Sequence, residues 1–183
     1  MRELSLHLLD IAQNSVTAGA TRIELLLAEQ ADGMLTVTVR DNGCGMSEET
    51  VASVTDPFCT TRTDRRVGLG IPLLQAACAQ TGGTLTVESK LGEGTSLTAT
   101  LDTHSIDCKP FGDMAATVVS LIAGAPHISL RYLHTAGADR VCMDTDMLRT
   151  ELGAEIPLST PSVLMWIGDN LKKQYENFGG MKA

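Results

Sequence analysis

The sequence predicts a two-layer α/β sandwich over residues 1–103, followed by a small α+β appendage over 104–183. Two observations carry the first half. Four short stretches alternate apolar and polar residues with a period of two, at Ile23-Leu25-Leu27, Leu35-Val37-Val39, 85–89 and 96–101, the signature of strands with one buried face. Helical periods at 2–18 and 71–80 are interspersed with them, so helices cover that face. A third observation marks the extension: composition shifts at His104–Gly112 (HSIDCKPFG), which reads as a linker.

Taken in order, residues 2–18 form a helix whose apolar stripe is Leu4, Leu8 and Ile11, widened by Leu9, Ala12 and Val16. Gly19 follows as a natural C-terminal stop. The next two strands make a hairpin around Ala31-Asp32-Gly33. The second runs into Asp41-Asn42-Gly43-Cys44-Gly45-Met46, too glycine-rich for a regular element. Ser47 caps a short helix with Glu48 and Glu49 in its first turn, where the helix dipole favours them. Residues 56–70 have no hydrophobic period. The helix at 71–80 carries Pro72 in its first turn and ends at Gly82-Gly83. Two strands joined through Lys90–Thr95 close this half. In the extension, a helix at 113–123 precedes a hairpin that sets Ile128, Leu130 and Tyr132 opposite Val141 and Met143. A short helix at 145–152 follows, and a last helix, capped by Thr160 before Pro161, buries Leu164, Ile167, Leu171, Tyr175 and Phe178.

Composition narrows the function. A chain of 183 residues that is 43% hydrophobic buries a core without cross-links. Its net charge of −8 argues against a general nucleic-acid binder, which needs a cationic footprint. The five cysteines are scattered with no CxxC pair, so neither a zinc site nor a disulfide framework is indicated. The longest apolar run, Met114–Ala125, is too short to span a bilayer. Ser5, His7 and Asp10 interrupt any secretory signal. A reduced, cytoplasmic protein is expected, without membrane or nucleic-acid partners.

Four segments carry possible chemistry. Asp10 and Asn14, four residues apart on a helix, project from one face and offer oxygen ligands to a hard cation such as Mg²⁺; a solvated polar face is the plainer alternative. Asp41-Asn42-Gly43-Cys44-Gly45-Met46 lets backbone approach a ligand and gives Asp41 to accept from an exocyclic amine. Thr60–Gly70 (TTRTDRRVGLG) concentrates Arg62, Arg65 and Arg66 in an acidic chain, just before a helix N-terminus suited to anions. It is neither a P-loop nor a dinucleotide fingerprint. Gly92-Glu93-Gly94-Thr95 alone is a glycine turn.

In that order the four segments resemble the nucleotide-binding boxes of the GHKL superfamily, which takes in gyrase, Hsp90, sensor histidine kinases and MutL mismatch-repair proteins. Leu9–Ser15 with Ala18-Gly19-Ala20-Thr21 resembles the N box, and Asp41–Met46 the G1 box. Asp56-Pro57-Phe58, Thr60-Thr61-Arg62 and Gly68-Leu69-Gly70-Ile71 resemble the F and G2 boxes, and Gly92–Thr95 the last. The resemblance covers about residues 1–101. It implies a Bergerat-type sandwich with a mixed sheet, binding ATP and Mg²⁺. Asn14 would then coordinate Mg²⁺, Asp41 would bind the adenine amine with Thr95 in support, and Gly43 and Gly45 would line the adenine pocket. Residues 59–70 would be the ATP lid, with Thr60, Thr61, Arg62, Gly68, Leu69 and Gly70 toward the phosphates and Arg62 in place of the usual lysine.

Two departures matter. Hydrolysing members usually carry Glu four residues before the Mg²⁺-binding Asn, where this chain has the shorter Asp10. No helical hairpin with a phosphoacceptor His precedes the domain, and His7, His104, His127 and His134 have no motif around them. The expectation is therefore a histidine-kinase-like domain acting on a separate protein by phosphoryl transfer, or hydrolysing ATP with Asp10 as base; a non-catalytic ATP-dependent switch is the alternative. The Gly112-Asp113-Met114-Ala115 segment and the terminal helix resemble stand-alone bacterial sensor-kinase-like proteins, some encoded beside iron-only hydrogenase subunits, which implies a hydrogenase-related setting. A DNA-repair role by analogy with MutL fits poorly with the acidic chain. ATP is expected over GTP, because a guanine carbonyl facing Asp41 would be repelled.

Overall fold

The computed structural model describes residues 3–55, 70–153 and 155–180. The chain runs α1 (Leu4–Thr17), β1 (Arg22–Glu29), β2 (Met34–Asp41), α2 (Glu48–Thr55), α3 (Gly70–Gln80), β3 (Leu85–Lys90) and β4 (Gly94–Asp102). It continues through α4 (Met114–Gly124), β5 (Ser129–Ala136), β6 (Asp139–Asp144), α5 (Thr145–Leu152) and α6 (Pro161–Glu176). The strands make one mixed sheet in the order β3-β4-β2-β1-β5-β6.

The period-two pattern dictates one buried face. Ile23, Leu25 and Leu27 of β1, Leu35, Val37 and Val39 of β2, and Leu97, Ala99 and Leu101 of β4 are all buried. Antiparallel register sets Leu25 opposite Val39 and Val37 opposite Ala99, so these side chains share one surface. The intervening Thr36, Thr38, Thr98 and Thr100 are half-buried. Helices α3, α1, α4 and α6 touch in that order, and Leu74, Leu8, Val118 and Ile167 join the strands in one core.

The C-terminal part builds onto this sheet through β5 and β6. β5 lies parallel to β1, with Ile23 beside Leu130 and Leu25 beside Tyr132, and β6 pairs antiparallel with β5. The boundary expected at residue 103 therefore falls within a single sheet. The physical reason is the edge of β1: an apolar strand with a free row of backbone groups is completed by another strand. The expected linker is an ordered strap. Pro110 and Phe111 carbonyls accept from the Leu4 and Ser5 amides at 2.9 and 3.0 Å, satisfying the first turn of α1. Phe111 is itself buried.

Helix ends follow the sequence with one exception. Asp113 caps α4 by accepting from the Ala116 amide at 2.8 Å, and Asp144 caps α5 through the Asp146 and Met147 amides. Thr160 precedes Pro161 of α6 but makes no side-chain cap. Helix α6 buries Val163, Ile167 and Leu171, whereas Leu164 and Tyr175 are half-buried. Phe178 is buried, but two residues past the helix end.

Beneath the C-terminal turn lies a polar cluster the sequence does not announce. His134 is fully buried; its Nε2 bonds Glu29 at 2.8 Å and its Nδ1 bonds the Tyr175 hydroxyl at 3.0 Å. The Tyr175 and Tyr132 hydroxyls also bond one another. Phe111 and Phe178 pack on the imidazole with ring centroids 4.9 and 4.5 Å away. The cluster ties α6 to β1 and β5 with every polar group paired, which is the condition for burying it.

Candidate functional site

β2 ends on Asp41, and β4 places Thr95 directly across from it. Two donors fix the Asp41 carboxylate: Ser15 Oγ on α1 gives Oδ2 a hydrogen bond of 2.6 Å, and the Gly43 amide gives Oδ1 one of 2.9 Å. Each carboxylate oxygen retains a free lone pair, so Asp41 is an oriented acceptor.

The glycine-rich loop after β2 is pinned at every turn. The Asn42 side-chain oxygen accepts from the Thr21 and Arg22 amides at 2.9 and 2.8 Å. The Cys44 amide donates to the Ala18 carbonyl at 2.9 Å, and the Cys44 carbonyl accepts from Gly92 at 2.8 Å. The Met46 amide donates to Ser89 Oγ at 2.8 Å. Glycine is required where this loop meets the β3–β4 turn. Gly45 has φ +65°, and a Cβ there would lie 2.0 Å from the Lys90 carbonyl oxygen. Gly94 has φ +105°, and its Cβ would lie 2.1 Å from the Asp41 carbonyl oxygen. Both positions exclude a side chain by conformation and by contact.

Between α1, this loop and the sheet ends lies a cavity of about 420 Å³. Ile11, Val39, Ile71 and Leu97 give it apolar walls, and Asn14, Ser15, Asp41 and Thr95 supply the polar groups. A mostly apolar hollow with a few oriented polar atoms is the form of a small-molecule site. Asn14 belongs to the same lining. Its side-chain nitrogen is buried and has no hydrogen-bond partner among the described residues, a costly arrangement.

The structure gathers Asn14, Asp41, Gly45 and Thr95 into that wall. Gly43 is buried and supports Asp41 without lining the cavity. Asp10, one turn before Asn14, is also not in the wall; it faces the first residue of α3, where a Cβ on Gly70 would stand 2.2 Å from Asp10 Oδ2. Gly70 is thus a close-approach glycine, and Asp10 sits where the N-terminal dipole of α3 favours a carboxylate. Thr60, Thr61, Arg62, Gly68 and Leu69 lie outside the described residues. His7 is buried in α1, and neither ring nitrogen has a partner among the described residues. Burial pushes its pKa below the usual histidine value.

Sequence reasoning assigned no role to Ser15, Cys44, Met46, Thr50 or Ile71, all of which line the cavity. For Ser15 a signal existed. It continues the stripe Leu4-Leu8-Ile11 at helical spacing, so a polar group was due inside the core and needed a partner.

Comparison with known proteins agrees with this fold. The family model described as "Histidine kinase-, DNA gyrase B-, and HSP90-like ATPase" matches residues 1–105. The sensor histidine kinase ZraS of Klebsiella oxytoca is 36% identical over 76 residues, covering 42% of this chain and 16% of the relative. The sensor histidine kinase RppB of Synechocystis sp. is 32% identical over 95 residues, covering 49% of this chain and 20% of the relative. The chain therefore matches no more than a fifth of the length of either. Among solved structures, the N-terminal domain of a DNA repair protein shares the fold at a TM-score of 0.50 and 12% identity, covering 79% of this chain and 53% of that one.

Proposed function

The chain belongs to the histidine kinase-, DNA gyrase B- and HSP90-like ATPase family, and from that premise we propose that this ATP-binding, kinase-like domain binds Mg·ATP and either transfers its γ-phosphoryl group to a separate protein or hydrolyses it. One observation carries the reading. Asp41 is an oriented acceptor in the wall of a mostly apolar cavity, with Thr95 across from it and Asn14 in the same wall.

The residues fit adenine. An exocyclic amine donates to Asp41, and the apolar walls flank the purine. A guanine carbonyl at that position faces the carboxylate and is repelled, which favours ATP over GTP. The Asn14 side-chain oxygen would hold Mg²⁺, a hard cation that takes oxygen ligands. When bound, the ion offsets phosphate charge. Gly45 lines the base pocket and Gly43 holds the Asp41 carboxylate in line. Thr60, Thr61, Arg62, Gly68, Leu69 and Gly70 are assigned to the lid beside the phosphates. Asp10 is assigned the role of base in hydrolysis, taking a proton from the attacking water. In phosphoryl transfer the acceptor side chain comes from the partner, and this chain contributes mainly position and charge. A cytoplasmic, hydrogenase-related setting belongs to the same proposal.

The test follows label from γ-phosphate-labelled ATP with Mg²⁺ and the protein alone. Free labelled phosphate that disappears in Asp41→Asn makes the protein an ATPase in its own right. Label that stays in ATP while binding is intact directs the search to a phosphoacceptor, or to a switch target if no acceptor takes the label. Failure of the wild type to bind ATP would overturn the reading.

A further inference from the structure

The C-terminal part of the chain carries an apolar surface that neither the core nor the nucleotide cavity uses. Met147 on α5, Ile156 after it and Trp166 on α6 are 66%, 44% and 52% exposed, although all three are large and apolar. They line two neighbouring hollows of about 410 and 360 Å³, which share Leu148, Glu151 and Trp166 and so form one groove. One end of the groove rests on β5 and β6, and the other lies between α5 and α6. Single apolar side chains on a surface are ordinary, whereas a contiguous patch rimmed by charge marks a place where another molecule packs.

The rim limits what that molecule is. Arg131, Arg140, Asp144 and Glu151 line the strand end of the groove. Two of these are engaged within the chain. Asp144 caps α5 through the Asp146 and Met147 amides, and Arg131 stands 3.6 Å from Glu24. Arg140 and Glu151 are exposed, and neither side chain has a hydrogen bond or ion pair among the described residues. An acidic partner would satisfy Arg140 and leave Glu151 facing its own sign; a basic partner would do the reverse. A patch with one free charge of each sign is complementary to itself, because a two-fold axis brings the cation of each copy to the anion of the other. Strand addition is the other way to extend this end of the sheet, but β6 is closed to it. Its Cys142 amide donates to Gln174 Oε1 at 2.8 Å, and Gln174 Nε2 donates to the Cys142 carbonyl at 3.1 Å.

We propose that this groove is the interface of a homodimer: a second copy packs on it about a two-fold axis, Trp166 of each chain enters the groove of the other, and Arg140 of each pairs with Glu151 of the other. Trp166 is the anchor, since a large aromatic near the centre of an interface carries a disproportionate share of its energy. The groove shares no lining residue with the nucleotide cavity, so the inference goes beyond the nucleotide reading and stands apart from it.

The test is sedimentation equilibrium of the full chain from micromolar to millimolar protein, under reducing conditions so that the exposed Cys142 cannot link copies. Wild type is expected to approach twice the monomer mass as concentration rises. Trp166 is the chain's only tryptophan, so its fluorescence is expected to move to shorter wavelength over the same range. Trp166→Ala is expected to raise the dimer dissociation constant about thirtyfold or more. Arg140→Glu alone, or Glu151→Arg alone, sets like charges together at both pairs, and each variant is expected to be monomeric where wild type is dimeric. Mixed in equal amounts, the two variants regain opposite charges at both pairs, and association is expected to return. That rescue also shows that both variants fold. A wild-type chain that stays monomeric to millimolar concentration overturns the proposal and leaves the groove to a different protein. A dimer that persists in Trp166→Ala and in both charge variants overturns it too, placing the interface elsewhere. So does a mixture of the charge variants that associates no better than either alone.

Discussion

Ser15 on α1 donates a 2.6 Å hydrogen bond to Asp41 at the end of β2, joining two residues 26 positions apart. The bond connects the helix that bears Asn14 to the strand that bears the carboxylate, so neither moves without the other. Removing the hydroxyl leaves Asp41 Oδ2 short of a partner in a part-buried setting. Ser15→Ala is expected to cost about 1–3 kcal/mol in denaturant unfolding and to weaken ATP binding, with Ser15→Thr retaining more of both. Calorimetry against ATP and inosine triphosphate separates the two effects. A purely structural role would weaken both nucleotides alike, whereas loss of carboxylate orientation narrows the preference for ATP.

Asp10 is tested apart from binding. Its proposed role as base makes Asp10→Asn lose ATP turnover, and its place against Gly70, outside the cavity wall, leaves ATP affinity spared. Unchanged phosphate release in that variant would remove Asp10 from the chemistry.

Gly94 is expected to be among the least replaceable residues. Gly94→Ala places a methyl 2.1 Å from the Asp41 carbonyl oxygen at φ +105°. Backbone strain of that kind costs on the order of 1–3 kcal/mol before the clash is counted, and the relief of the clash displaces Asp41. Gly92, also at positive φ but with open space around its Cβ position, should lose only the conformational part. Thermal unfolding of the two alanine variants gives the comparison, with Gly94→Ala the lower.

The buried cluster under α6 predicts a stability effect without a site effect. Tyr175→Phe removes the hydroxyl that bonds both Tyr132 and His134, leaving two buried polar atoms short of a partner. A loss of about 1–3 kcal/mol in urea unfolding is expected, with the ATP affinity of the folded fraction unchanged. An altered affinity would mean that this end of the sheet communicates with the cavity.

Cys78 supplies a kinetic check on the thiols. With its pKa pushed up to about 11 by burial, it holds almost no thiolate at pH 8 and has no access for a reagent. Native protein at that pH should leave Cys78 unlabelled for as long as it stays folded, and labelling should appear only with denaturant.

What the sequence by itself determined was local. Period-two apolar residues specified the strands, Gly19 at φ +74° ended α1, Ser47 accepted from the Thr50 amide at the start of α2, and the order of four glycine- and carboxylate-bearing segments pointed to the family. These signals are legible because each is a property of a few adjacent residues obeying backbone sterics and side-chain periodicity. The tertiary structure decided everything that depends on which elements meet. It set β5 beside β1, so that β5 and β6 became part of the main sheet. It drew the Pro110–Phe111 strap onto α1, and it put Thr95 across from Asp41. It also packed Asp10 against Gly70 and placed Asn14, one turn on, in the cavity wall. Spacing on one helix gives a shared face, but only the neighbours packed against that face decide which of two side chains lines a cavity.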